Sequence, residues 1–362
     1  MELFRAHYQW ANRPKDERFE NVADMRAQCF EYAEHAAVAP AKWNQLRVEA
    51  TDDNDLRLIG RQNVPATVSH WAMGQLAERA GAPARYIRTL PATLAAQNIN
   101  HGLAKRDEEH EAQLLFHRNN GDLLLRAATG QVYERVWNYE ICDHLLAMED
   151  AGWTPALPDP RYIIASDPTS NKPDLYASDH DMFAFLIAPD RLIDDGSEGG
   201  LSRGLIVDNS EVGGGSLGLM SFLYRYMCGN HIVWGASEVV DVRIPHVGSI
   251  RDKLAETQLI VKEYMDASVS DDEAMIKKAR TYQIAKSRDE VIDELFKQLR
   301  AKGLTRKALE AGYDATVPEV DGAPDTQWGI VQGLTRASQS SPYADQRHQL
   351  DRAAGHVMQI AF

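Results

Sequence analysis

The chain reads as an α+β protein, with a mainly antiparallel sheet in its central part and helices at both ends. Three observations predict this. Short apolar runs of strand length crowd the middle, at residues 114–116, 123–125, 182–187, 204–208 and 239–244. Longer segments with helical apolar spacing flank them, clearest over 250–265. The strands are separated by turn signals and do not alternate regularly with helices, so no βαβ pattern emerges. The organisation expected is a helix-rich N-terminal region (1–110), a β-rich core (111–250) and a helical C-terminal region (251–362) that forms one compact domain with the core.

Each element has its own signal. Residues 1–20 carry no period. A helix is expected from Asn21, with Asp24 in its first turn and Met25 and Phe30 on its buried side. Two β runs, 46–50 and 56–59, flank the polar turn Thr51-Asp52-Asp53-Asn54-Asp55. Thr67 is expected to cap a helix that carries Val68, Trp71 and Leu76 and stops at Gly81. Shorter helices follow at 84–90 and 92–105. Asn119-Asn120-Gly121 marks a hairpin turn because Asn and Gly tolerate positive φ. A helix over 133–148 is broken by the Pro-rich stretch 154–160. A further strand is expected at 161–165. Helices are expected over 272–301 and 328–337, and a last one is opened by Ser341-Pro342, Pro favouring a first helical position.

Composition narrows the function classes. The 362 residues carry a net charge of −14, which opposes a protein whose whole surface embraces nucleic acid but permits a local basic groove. Charge is uneven: 179–211 is acid-rich and 277–307 base-rich, a pattern that favours self-association as much as ligand binding. No apolar run reaches the ~18 residues of a membrane span, and the N-terminus has no secretory h-region. Cys29, Cys142 and Cys228 are too dispersed for a disulfide framework and suit a reducing cytoplasm. No cofactor motif is present.

The segment from Asp208 to Ile250, DNSEVGGGSLGLMSFLYRYMCGNHIVWGASEVVDVRIPHVGSI, concentrates polar groups inside apolar β-like sequence. Buried polar groups need partners, so candidate sites are sought here first. One reading makes Arg225, Arg243 and His246, with Asn230, a phosphate or nucleic-acid site in a groove where Tyr224, Tyr226 or Trp234 stacks a base. A second makes Cys228, His231 and His246 metal ligands, on weak C-x2-H spacing. A third pairs Arg225 internally with Glu211. Gly213-Gly214-Gly215 reads either as an anion nest or as a plain turn, and lacks the Lys-Ser/Thr tail of a P-loop. Asp179 and Asp181, with Asp208 and Glu211, would suit a nuclease-like metal site if they converged. Residues 76–90 superficially match a helix-turn-helix carrying Arg85 and Arg88, although Pro91 ends the second helix early. The basic stretch 277–307 reads as a nucleic-acid strip or as the solvated face of a helix.

Three blocks carry a family resemblance: LRLIGRQNVPATVSHWAMGQLAERAGAPARYIRTLPATLAAQNIN, VDNSEVGGGSLGLMSFLYRYMCGNHIVWG followed by IPHVGSIRDKL, and WGIVQGLTRASQSSPYADQRHQLDRAAGHVM. Together they resemble domain of unknown function 932, the phage/plasmid-like proteins, most specifically in NSEVG and R-x-x-C-x-N. The resemblance implies a mobile-element role and carries no catalytic residues. The function expected is therefore a non-enzymatic phage- or plasmid-type protein that engages DNA, single-stranded or within a DNA-processing complex. A metal-dependent nuclease-like enzyme and an acidic protein that modulates a host protein are the alternatives. Homo-oligomers fit each.

Overall fold

The computed structural model describes residues 15–60, 65–106, 111–119, 121–157, 171–196, 199–226, 230–232, 240–302 and 304–360. The N-terminal part runs β1 (Glu17–Arg18), α1 (Val22–Glu34), β2 (Ala36–Lys42), β3 (Arg47–Ala50), β4 (Leu56–Ile59), β5 (Pro65–Val68), α2 (His70–Ala80), α3 (Ala84–Ile87), α4 (Ala92–Leu103), β6 (Glu111–Asn119), β7 (Asp122–Gly130) and α5 (Asn138–Asp150). The central part adds β8 (Thr154–Pro155), β9 (Leu175–Ala177), β10 (Met182–Ile193), β11 (Leu201–Asn209), β12 (Leu217–Arg225), β13 (Asn230–Ile232) and β14 (Asp241–Ile244). Helices then follow: α6 (Ile250–Asp266), α7 (Ser270–Thr281), α8 (Arg288–Leu299), α9 (Arg306–Ala315), α10 (Pro318–Asp321), α11 (Gln327–Ser338) and α12 (Ala344–Met358). The class is α+β, as expected.

Two sheets organise the chain. The first has the order β2-β6-β7-β5-β4-β3 and is antiparallel except where β5 runs parallel to β7. Its apolar face buries Val48, Leu58, Val68, Leu114 and Leu125 against Met73 and Leu76 of α2 and Ile99 of α4. The α2–α4 contact is close because Gly102 has no side chain: a Cβ there would lie 2.0 Å from the Ala80 carbonyl oxygen. Asn100 of α4 clasps β3, accepting from the Val48 N–H at 2.8 Å and donating to its carbonyl at 2.7 Å.

The second sheet, order β1-β9-β10-β11-β12-β13, is antiparallel throughout its described pairs, with β8 added to β10 and β14 to β12. Alternation along its strands feeds two cores. Ala184, Leu186, Leu205 and Leu219 pack with Cys29 of α1, Leu145 of α5 and Leu254 of α6. Phe185, Ile206 and Phe222 face the other way, toward Ala344 of α12. A third core, around Ile276, Leu295, Trp328 and Leu334, knits the C-terminal helices and reaches Leu201 and Leu223 of the sheet.

Several local expectations are corrected. Thr67 lies in β5, and Ser69 caps α2, its side chain accepting from the Ala72 N–H. Burial of Val68 against the first sheet prolongs the strand by the residue that Thr67 would have ended. Phe30 is exposed at the surface and makes an edge contact with Tyr139, 5.3 Å between ring centroids. The last helix begins after Pro342, at Ala344. The hairpin β6–β7 pairs with β2 and β5 in the first sheet. The strand expected at 161–165 lies outside the described residues.

Candidate functional site

Asn209 and the turn that follows hold the two sheets together. Asn209 Nδ2 donates to the Val136 carbonyl at 3.0 Å and to Asn138 Oδ1 at 2.8 Å. Ser210 Oγ accepts from the Gly214 N–H at 2.8 Å, and the Tyr133 hydroxyl accepts from the Gly213 N–H at 3.1 Å. Gln75 and Trp71 of α2 donate to the Val212 carbonyl at 2.6 and 3.2 Å. Glu211 is buried and bonded on both oxygens, to Arg126 Nη1 at 3.0 Å and to the Asn138 N–H at 2.7 Å. The glycine run is thus a docked turn whose Gly213 and Gly214 amides are already engaged, and the anion-nest reading of it is corrected. Gly213 needs its flexibility, with φ 81° and Thr129 Cγ2 only 3.0 Å from a would-be Cβ.

The residues expected to bind phosphate do not converge. Arg225 is completely buried. Its guanidinium donates to Asp195 Oδ2 at 3.2 Å, Asp321 Oδ1 at 3.0 Å and the Val320 carbonyl at 2.7 Å. It is a structural cation joining β12 to the C-terminal helices, and its partners are Asp195 and Asp321 rather than Glu211. Arg243 lies on β14 and grips Asp208 at 2.7 and 2.8 Å. Tyr224 is buried on the opposite sheet face, its hydroxyl donating to the Leu157 carbonyl at 2.7 Å. Backbone pairing sets Asn230 and His231 of β13 against Arg225 and Tyr224. Trp234 and Cys228 lie outside the described residues.

The four carboxylates also pair off rather than share one point. Asp179 and Asp181 bracket His180 at 2.8 and 3.1 Å. Asp208 is held by Arg243 and Glu211 by Arg126. Burial lowers the His180 pKa, but hydrogen bonds to both aspartates outweigh this and raise it to about 9. The ring stacks on Trp71, 4.6 Å between centroids. Asp345, at the start of α12, completes a set with His180 and Asp181 whose ligand atoms lie within 4.8 Å of one another. Nothing in the sequence spacing links Asp345 to this turn.

His246 is the expected residue that lines an open site. A groove of about 570 Å³ runs beside the docked turn, lined by Arg79, Arg106, Tyr133, Gly215 and His246 among others. His246 stacks on Tyr133 at 4.8 Å, its Nδ1 is 3.0 Å from the Glu134 carbonyl, and its buried Nε2 has no hydrogen-bond partner among the described residues. Burial, partly opposed by that carbonyl, lowers its pKa and keeps the imidazole neutral. Arg79 lies over the Trp43 ring at 5.0 Å, and Arg106 Nε donates to the Arg79 carbonyl. Both arginines are exposed and neither has a carboxylate partner among the described residues. Sequence reasoning missed this pair because it sought cations near Arg225, whereas α2 and α4 bring Arg79 and Arg106 to the turn only in the fold.

Arg85 and Arg88 do not form a recognition helix. α3 is a single turn, and Arg88 is half-buried with its Nη2 donating to the His70 carbonyl at 2.9 Å. In the basic stretch, Arg288 pairs with Asp314 at 2.8 Å and Arg306 with Asp293 and Glu310.

Residues 183–353, from β10 through most of α12, match the family model described as Domain of unknown function (DUF932). The chain carries a DUF932 domain. The matched span holds the central strands, the docked turn, Arg225 and the C-terminal helices, while the first sheet with Arg79 and Arg106 lies outside it. The DUF932 span therefore supplies one wall of the groove and the N-terminal sheet the other. No curated protein and no solved structure matches the chain. No described helix is long and apolar enough to cross a membrane.

Proposed function

We propose that the protein binds single-stranded nucleic acid, without catalysing its cleavage, in the groove between its two sheets. The carrying observation is that Arg79 and Arg106, exposed and without carboxylate partners among the described residues, line the same groove as the open Gly215 backbone and His246. Exposed guanidinium groups are available to phosphate oxygens, and the Glu78 carboxylate lines the same groove. The groove is local, so the net charge of −14 limits the number of phosphates engaged rather than forbidding contact.

The test is fluorescence anisotropy of a labelled oligothymidine and of a duplex, across a salt series, with wild type and the Arg79→Ala/Arg106→Ala double variant. Wild type binds the single strand in a salt-dependent manner, and the double variant loses about two units of the salt slope. No binding at low salt, or equal binding by the variant, overturns the reading and directs the search to a host protein partner.

A second reading is favoured by the His180, Asp181 and Asp345 set. Nucleic-acid cleavage that appears only on addition of Mg²⁺ or Mn²⁺ and is lost in Asp345→Asn would move the function from binding to hydrolysis.

A further inference from the structure

A cavity of about 390 Å³ lies well apart from the groove, between α5, α6 and the face of the central sheet. Its walls are apolar: Leu145 and Met148 of α5, Trp153, Leu219 of β12, and Val261 and Met265 of α6. Most of these side chains belong to the core that covers this sheet face. Protein cores pack to crystal-like density, and a void of this size forfeits the dispersion contacts of every side chain around it. Water is a poor filler, because a stable buried water needs several polar partners. The Thr257 hydroxyl, one of the polar groups lining the space, already donates to the Leu254 carbonyl at 2.7 Å.

The polar residues lie at the rim. Gln258, Lys262 and Asp266 are exposed, and His144 is half-buried. Gln258 Nε2 lies 3.4 Å from His144 Nδ1 and so connects α6 to α5. Lys262 is 3.5 Å from Asp266 on the same helix, so the rim carries charges of both signs side by side. A rim with a paired charge and an uncharged hydrogen-bonding pair suits a neutral head group better than a carboxylate.

From this geometry we infer a binding site for a small neutral apolar molecule, with its hydrocarbon body between α5 and α6 and one hydroxyl- or carbonyl-type group at His144 and Gln258. The volume is within the range of ligand pockets, and the walls are apolar with few polar groups, as such pockets are.

The full-length protein is titrated with N-phenyl-1-naphthylamine, a neutral fluorescent probe, and the bound probe is displaced with 1-decanol and, in parallel, with dodecanoate. Saturable binding is expected, with decanol displacing the probe more effectively than dodecanoate. Val261→Trp, which places an indole in the cavity, is expected to weaken probe binding roughly tenfold or more while its circular dichroism remains that of the folded protein. Should that variant not fold, methyl resonances of Met148 and Met265 in the wild type are followed during the decanol titration and are expected to shift. Non-saturable probe binding, unmoved methionine methyls, or a folded Val261→Trp protein that binds as tightly as wild type would each overturn the inference. Preference for dodecanoate would overturn the neutral head group.

Discussion

Replacing Arg225 with methionine tests whether this residue holds the protein together or contacts its ligand. The guanidinium, Asp195 and Asp321 have fully buried side chains, so the substitution leaves two carboxylates out of contact with water and short of a cation. Removing one partner of a buried ion pair costs about 3–5 kcal/mol, because the remaining charge stays desolvated. Two neighbours soften the loss here. Arg336 keeps both Asp321 oxygens at 2.7 Å, and Arg280 remains 3.9 Å from Asp195. The lower end, about 3 kcal/mol, is therefore expected. Equilibrium urea unfolding measures it as a lowered midpoint. Adding Asp195→Leu to Arg225→Met should recover part of the loss, since an apolar replacement of both members of a pair is often near neutral. Nucleic-acid affinity, measured where both proteins are folded, should not change. A stability loss below about 1 kcal/mol would refute the anchoring role. Weakened binding at unchanged stability would return Arg225 to the ligand site.

Other outcomes follow from the same geometry. Glu211→Ala strips Arg126 and the Asn138 N–H of their partner in a buried setting, and should cost about 3–5 kcal/mol, read by urea unfolding. Gly333 of α11 faces the Gly312 carbonyl oxygen of α9, where a Cβ would sit 2.0 Å away; Gly333→Ala should cost about 1–3 kcal/mol and lower the thermal midpoint. Burial raises the Asp351 pKa to about 7, against the opposing pull of Arg347 and of its hydrogen bond from Ser338. The folded pKa lies above the ordinary carboxylate value, so this contribution to stability is complete below about pH 4 and is lost as pH rises through 7. Asp351→Asn should flatten that part of the melting-temperature profile, and an unchanged profile would refute the assignment.

How much of this was legible before folding depends on the range of the interaction. Local signals worked. Asn21 caps α1 through its own Asp24 N–H, Gly81 ends α2 at φ 74°, and Gly121 turns the β6–β7 hairpin at φ 95°. These depend on residues a few positions apart. Strand β2 escaped because Pro40 and its alanines blur the β pattern; it survives as an edge strand, paired among the described strands only with β6. Helix α9, capped by Thr305, was not expected although its own residues carry a helical period. Arg225 was singled out correctly as a costly polar residue in apolar sequence, yet its partners lie 30 and 96 positions away. No spacing rule reaches them.

The sequence by itself determined the α+β class, the family resemblance now shown over residues 183–353, and most helices, because periodicity and turn chemistry act within one element. Tertiary structure alone decided which polar residues face solvent. It buried Arg225 among aspartates, turned the glycine run into a docked joint, and drew Arg79, Arg106 and His246 from three separate segments into one groove. The physical reason is that exposure and charge pairing depend on contacts between elements distant in sequence.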